Sequence, residues 1–203
     1  MALDGTYAGL KASVADWLNR ADLTAVIPDF ITLAEGQMNR RLRVRRMVAT
    51  ATAQISAAYE SLPADFAGAL AVTLSDGRQL DFLTPDALAQ KAFLHQPRSG
   101  EPTHYSVVGT QLQFYPAPDQ AYAALLTYYQ ALPPLAANAA NWLLATGPDV
   151  YLYGALTQAA PYLKDDSRIP VWGELFTSAL ADLKAADRES FGTRLTPQPT
   201  LVV

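Results

Sequence analysis

Residues 141–168 read NWLLATGPDVYLYGALTQAAPYLKDDSR, with one Trp, five Leu and three Tyr and almost no side chain suited to chemistry. The stretch is therefore a packing and recognition element. A short helix is expected at about residues 141–145, stopped by Gly147. Pro148 then opens a longer helix to about residue 164, because the N–H that proline lacks has no intrahelical partner in a first turn. Pro161 should bend or end that helix, since its ring clashes one turn back. Helical segments thus close the chain, and the fold class turns on what precedes them.

Downstream, residues 170–191 carry Trp172, Leu175, Phe176, Ala179, Leu180 and Leu183 as a broad apolar stripe on a last helix. An irregular tail follows, with Pro197 and Pro199. Upstream, Leu132-Pro133-Pro134-Leu135 ends a strand region. That region offers an alternating strand at 48–55, a loop at Leu62-Pro63-Ala64-Asp65-Phe66, and a hairpin of 69–74 and 79–83 about Ser75-Asp76-Gly77-Arg78. Thr84-Pro85-Asp86 caps a short helix ending near His95. A second hairpin, 105–108 and 111–115, turns at Gly109-Thr110, and 121–130 is the longest strand.

The chain opens with helices. Tyr7, Leu10, Val14, Trp17 and Leu18 share a face over about residues 6–20. Ile27, Ile31, Ala34, Met38 and Leu42 form the stripe of a second helix that begins near Pro28. The order helices, strands, helices gives an α+β fold. The N- and C-terminal helices form a helical bundle, and a small antiparallel β-sandwich or barrel is inserted between them. The expected boundaries are 1–47 and 136–192 for the bundle, 48–135 for the β-rich insertion and 193–203 for a C-terminal arm.

At 203 residues, half of them apolar, the chain can bury one core or two small ones. A formal net charge of −4 argues against a broad basic surface that grips nucleic acid. It suits a surface past which DNA slides without specific binding. Without cysteine there is no disulfide framework, thiolate metal site or cysteine nucleophile. No apolar run reaches the ~18–20 residues of a membrane helix. The opening MALDGTYAGLK lacks the pattern of a signal peptide, so a reducing cytoplasm is expected.

Five arginines, Arg40, Arg41, Arg43, Arg45 and Arg46, fall within seven residues. On a helical wheel Arg41 and Arg45 lie on the apolar side and the other three elsewhere. Such an end either compensates the helix dipole and aids solubility, or meets carboxylates on another chain. Trp142, Tyr151 and Tyr153 are interface candidates by residue type and equally ordinary core residues. Tyr151 and Tyr153, two apart, cannot share a helical face.

His95 and His104 stand without the partners of a catalytic triad. Asp165-Asp166-Ser167-Arg168 lacks calcium-loop spacing and reads as a polar corner. No phosphate loop, zinc helix or nucleophile elbow occurs. No enzyme, cofactor or metal is expected. In the tail, Leu195, Leu201, Val202 and Val203 are costly to leave in water. Either the segment is simply disordered, or it is an extended arm, reaching about 35 Å, that binds another subunit.

Several motifs resemble, in order, those of tailed-bacteriophage head–tail adaptor (connector) proteins. They are Ile31-x-x-Ala34-Glu35 with Asn39-Arg40-x-Leu42-Arg43; Leu62-Pro63-x-Asp65-Phe66; Gly100-x-Pro102-x-x-Tyr105; and Gly109 with Leu112-x-Phe114-x-Pro116-x-Pro118. Tyr128-Tyr129 and Asn141-Trp142-Leu143-Leu144 follow, the latter leading into Pro148-Asp149-x-Tyr151-Leu152-Tyr153-Gly154 and Tyr162-Leu163-x-Asp165-Asp166. The resemblance implies a non-catalytic virion protein, assembled in the host cytoplasm. It forms a ring, usually twelve-fold, beneath the portal protein. The ring extends the DNA channel and gives tail, nozzle or fibre proteins a platform. The competing readings are a tail-associated β-sandwich that binds protein or sugar and, third, an enzyme with an unrecognised site.

Overall fold

In chain order the elements are α1 (Tyr7–Leu18), α2 (Ile27–Arg41), β1 (Val48–Ile55), β2 (Tyr59–Ser61), β3 (Phe66–Leu74), β4 (Asp81–Phe82), α3 (Pro85–Leu94), β5 (His104–Val108), β6 (Gln111–Tyr115), β7 (Tyr122–Gln130), α4 (Trp142–Thr146), α5 (Pro148–Leu163) and α6 (Ile169–Glu189). They come from a computed structural model that describes residues 3–94, 99–163 and 169–189. The chain is α+β, with six α-helices and two largely antiparallel sheets among the described residues. It divides into two compact units, Arg46–Ala131 and the remainder on either side.

The helical unit is organised around α5. Val150, Tyr151, Leu152, Ala155, Leu156, Ala159 and Ala160 are all buried, so apolar side chains leave α5 in nearly every direction. A helix apolar all round must be enclosed, and α5 packs against α1, α2, α4 and α6. Its neighbours are amphipathic. Helix α1 starts where the Thr6 hydroxyl accepts the Gly9 N–H at 3.0 Å, and ends at Asn19 in the left-handed conformation. It buries Leu10, Val14 and Leu18. Trp17, expected on that stripe, sits at its margin; it is 47% exposed and meets Tyr153 edge-on at 5.9 Å.

On α2, Ile27, Ile31, Ala34 and Met38 are buried as their spacing predicts, joined by Phe30 and Glu35. Helix α6 buries a narrower face than its sequence suggests: Trp172, Phe176, Ala179 and Leu180 lie inside, while Leu175 is 37% exposed. Pro161 falls in the last described turn of α5. Short α4 is capped by Asn141, whose Oδ1 accepts the Leu144 N–H at 2.9 Å, and stops at Gly147.

In the strand-rich unit one sheet has the order β1-β7-β3 and the other β2-β6-β5-β4. The long strand β7 is central in the first, antiparallel to both neighbours. Ile55, Val72, Leu74 and Leu126 from this sheet share an apolar cluster with Tyr105, Leu112 and Phe114 from the other. Each such side chain contributes about 1.5–3 kcal/mol when fully buried. Among the described residues both sheets end in open edges, so the barrel alternative is not realised.

The 105–115 hairpin forms as read, with Gly109 at φ +60°, a value that favours glycine. The 69–83 hairpin forms only in part. Past a single bridge between Thr73 and Gln79, Leu80 is buried in the cluster and β4 joins β5 in parallel in the second sheet. The demand to bury Leu80 between the sheets outweighs the local turn signal.

Candidate functional site

The arginine run departs from the helical-wheel reading because α2 stops at Arg41. Leu42 is already extended, with φ −86° and ψ 134°. Leu42, Arg43 and Val44 then alternate buried, exposed, buried, and a 3-10 turn at Arg45–Met47 buries Met47; Arg45 and Arg46 are exposed, as are Arg40 and Arg41. Over the extended residues 42–44, period-two spacing decides which side chains are buried. Hydrophobic burial of Leu42 and Val44 thus turns the intervening Arg43 guanidinium outward.

This segment meets the end of α6. The Arg45 N–H donates to Asp187 Oδ2 at 2.9 Å, and the Arg41 guanidinium lies 5.8 Å above the Phe176 ring. Arg43 Nη1 donates to the carbonyls of Asn39 and Leu42, each at 2.6 Å, closing the carboxyl end of α2. Arg41, Arg43, Val44, Lys184, Asp187 and Arg188 line a depression of ≈ 170 Å³. The carboxyl end of α2, with its partial negative charge, lies here. Among the described residues that line the depression, four are cations and one is a carboxylate. The depression is suited to carboxylate or phosphate groups.

The aromatic candidates separate. Tyr151 is fully buried, Tyr153 is half-buried against Trp17, and Trp142 is half-buried in the first turn of α4. The Tyr151 hydroxyl donates to Glu35 Oε1 at 3.2 Å and accepts from Asn141 Nδ2 at 2.6 Å. Glu35 Oε1 also accepts the Leu135 N–H at 2.9 Å, and Asn141 Nδ2 reaches the Pro133 carbonyl at 2.9 Å. One turn along α2, Asn39 Oδ1 accepts the Leu132 N–H at 2.8 Å. Burial raises the pKa of the Glu35 carboxyl, against the two hydrogen bonds that favour its charge. Burial also drives the Tyr151 phenol far above its usual value.

Glu35, Asn39 and Asn141 are therefore the polar anchors that seat residues 132–141 on α2 and α5. Sequence reading missed their role, although a carboxylate beside an apolar stripe, four residues before an Asn, was the available signal. A comparable anchor holds the strand-rich unit: the Tyr128 hydroxyl donates to Asp65 Oδ1 at 3.0 Å, and its ring stacks on Phe66.

His104 is largely buried, 3.9 Å from Asp81, with Nδ1 2.7 Å from the Thr103 hydroxyl. Burial first, then Lys91, lowers its pKa against the opposing pull of Asp81. Among the described residues no three His, Asp or Glu side chains converge as metal ligands would. No helix among them is long and apolar enough to cross a membrane. His95, the Asp165-Asp166-Ser167-Arg168 corner, and Leu195, Leu201, Val202 and Val203 of the tail lie outside the described residues.

The model of the family described as SU10 adaptor protein matches residues 5–198, across both units. No curated protein matches the chain.

Proposed function

The chain belongs to the SU10 adaptor protein family, a phage head–tail adaptor family, and from this premise we propose that it docks as a ring beneath the phage portal. The ring would extend the DNA channel and offer a platform to tail, nozzle or fibre proteins. The observation that carries the reading is the family match through both the helical and the strand-rich units. A structural adaptor is a virion component, and its partners are portal and tail proteins.

In this reading the helices of 1–47 and 136–192 act as one bundle, 48–135 as an inserted β-sandwich, and 193–203 as an arm. Ring contacts run head to tail, so one patch meets a different patch on the next subunit. The positive corner of Arg41, Arg43, Lys184 and Arg188 is the patch we assign to carboxylates of a neighbour, with Arg40, Arg45, Arg46, Trp142 and Tyr153 as further candidates. Tyr151 serves such a surface indirectly, by fixing α5 from inside. Weak contacts to a preformed portal ring add up through effective concentration, so a twelve-fold template would recruit subunits that do not assemble alone.

Mass measurement of the purified chain with and without its portal ring tests this. A monomer or small oligomer that becomes a stable portal-bound ring is expected. Unchanged mass on adding portal would remove the main support for docking.

A further inference from the structure

At one end of the strand-rich unit, acids outnumber bases. In the turn after β3, Asp76 pairs with Arg78, and Glu101, just before β5, pairs with the same guanidinium. The Ser75 N–H donates to the Ala123 carbonyl at 2.9 Å, which holds this turn beside the start of β7. There Asp119 accepts the Tyr122 hydroxyl at 2.7 Å. That hydrogen bond raises the pKa of the phenol against the pull of nearby Arg78. A phenol satisfies an oxygen of Asp119 without neutralising it. Among the described residues three carboxylates thus surround one guanidinium, and Asp76 and Asp119 are exposed.

The depression on the helical unit has the opposite imbalance. Lys184 and Arg188 stand one turn apart on α6, and Arg41 contributes its contact with the Phe176 ring. Asp187, the one carboxylate there, is engaged by the Arg45 N–H. Residues 190–203, which follow α6 in the sequence, include no Asp or Glu.

We propose that the depression of Arg41, Lys184 and Arg188 on one copy receives the Asp76 and Asp119 end of the strand-rich unit of the next copy, an inference that rests on the head-to-tail ring. Such a ring needs two different, complementary patches on every copy. One positive and one negative patch meet that need, whereas like patches brought together would repel. An acidic chain repels DNA phosphate at longer range, which favours a carboxylate as the occupant. Exposed ion pairs are individually weak, so the contact holds best where a template closes the ring.

Because the chain has no cysteine, single thiols report on one contact at a time. Exposed Ala121 and Ala185 lie beside the two patches without belonging to either. Ala121→Cys protein is mixed with Ala185→Cys protein and treated with a short bismaleimide, with and without portal; Ala145→Cys on α4 replaces Ala185→Cys as control. Linked 121–185 pairs are expected at about ten times the control and should decline with added salt. Asp119→Lys on the first protein should abolish the link, and Arg188→Glu on the second should restore it. A link formed without any portal-bound ring supports the contact while docking fails. A portal-bound ring without the link overturns the contact while docking stands. No link above control in either condition, or a link indifferent to both charge reversals, also overturns it. Retention on immobilised duplex DNA that Lys184→Glu with Arg188→Glu abolishes, with the link at control level, would assign the depression to phosphate instead and overturn the proposal.

Discussion

Glu35 is a carboxylate held inside a helical core by two donors, the Leu135 N–H and the Tyr151 hydroxyl. Burial raises its folded pKa above that of the unfolded chain, about 4.3. The folded state then binds the proton more tightly than the unfolded state. This contribution to stability is complete below the unfolded value and is lost as pH rises through the raised folded value. Glu35→Gln keeps an acceptor oxygen for both donors and removes the ionisation. Urea unfolding at about pH 5 and pH 8 should show the variant equal to or more stable than the parent at the higher pH, with this part of the pH slope flattened. Glu35→Ala leaves both donors unpaired and should cost about 1–3 kcal/mol for each. A parent protein that gains stability over the Gln variant as pH rises contradicts the assignment. The sequence shows Glu35 beside a stripe, yet its partner lies 116 positions away. Local pattern says which residues turn inward; it cannot say which polar groups meet there.

Caps and periodicity operate within a few residues, and so most elements can be read directly. Thr6 and Asn141 start helices with their own side chains, and Gly109 turns the β5–β6 hairpin through its positive φ. Where distant packing competes with a local signal, the reading fails. Leu80 is drawn into the shared cluster and carries β4 to the second sheet, and the arginine run leaves the helix because Leu42 and Val44 are buried. The α5 helix supplies a test of how tightly such packing is set. A methyl group at Gly154 would stand 3.0 Å from Met38 Cε, 3.0 Å from Phe176 Cε2 and 3.2 Å from Ala34 Cβ. Met38 can bend aside, but Ala34 Cβ moves only with the α2 backbone. Gly154→Val should therefore destabilise the protein by about 1–3 kcal/mol, measured by thermal or denaturant unfolding. A neutral result would mean that α2 and α5 can separate freely.

At the scale of the whole molecule, the family was legible because its weak motifs occur in order across both units, whereas the surface that meets a neighbour was not, since exposed charge looks the same whether solvated or paired. The double variant Arg41→Glu, Arg45→Glu separates those cases. Arg41 contributes a cation–π contact of about 0.5–1 kcal/mol, and Arg45 holds Asp187 through its main chain, so the fold should survive. Incorporation into particles should fail if these guanidinium groups meet carboxylates that become buried on assembly, a loss of about 3–5 kcal/mol per broken pair. Normal incorporation would show that they are merely solvated. The register of β1 with β7 sets Val48 opposite Tyr129, so the strand-rich unit begins and ends on adjoining strands, about 5 Å apart. A segment with adjoining ends behaves as an exchangeable cassette, because the host chain need not stretch to accept a longer, shorter or unrelated insert. Replacing residues 46–131 with a short Gly/Ser linker should leave the helical far-ultraviolet signal and its cooperative melting in place. The helices would then keep their own packing whatever the length of the insert they carry.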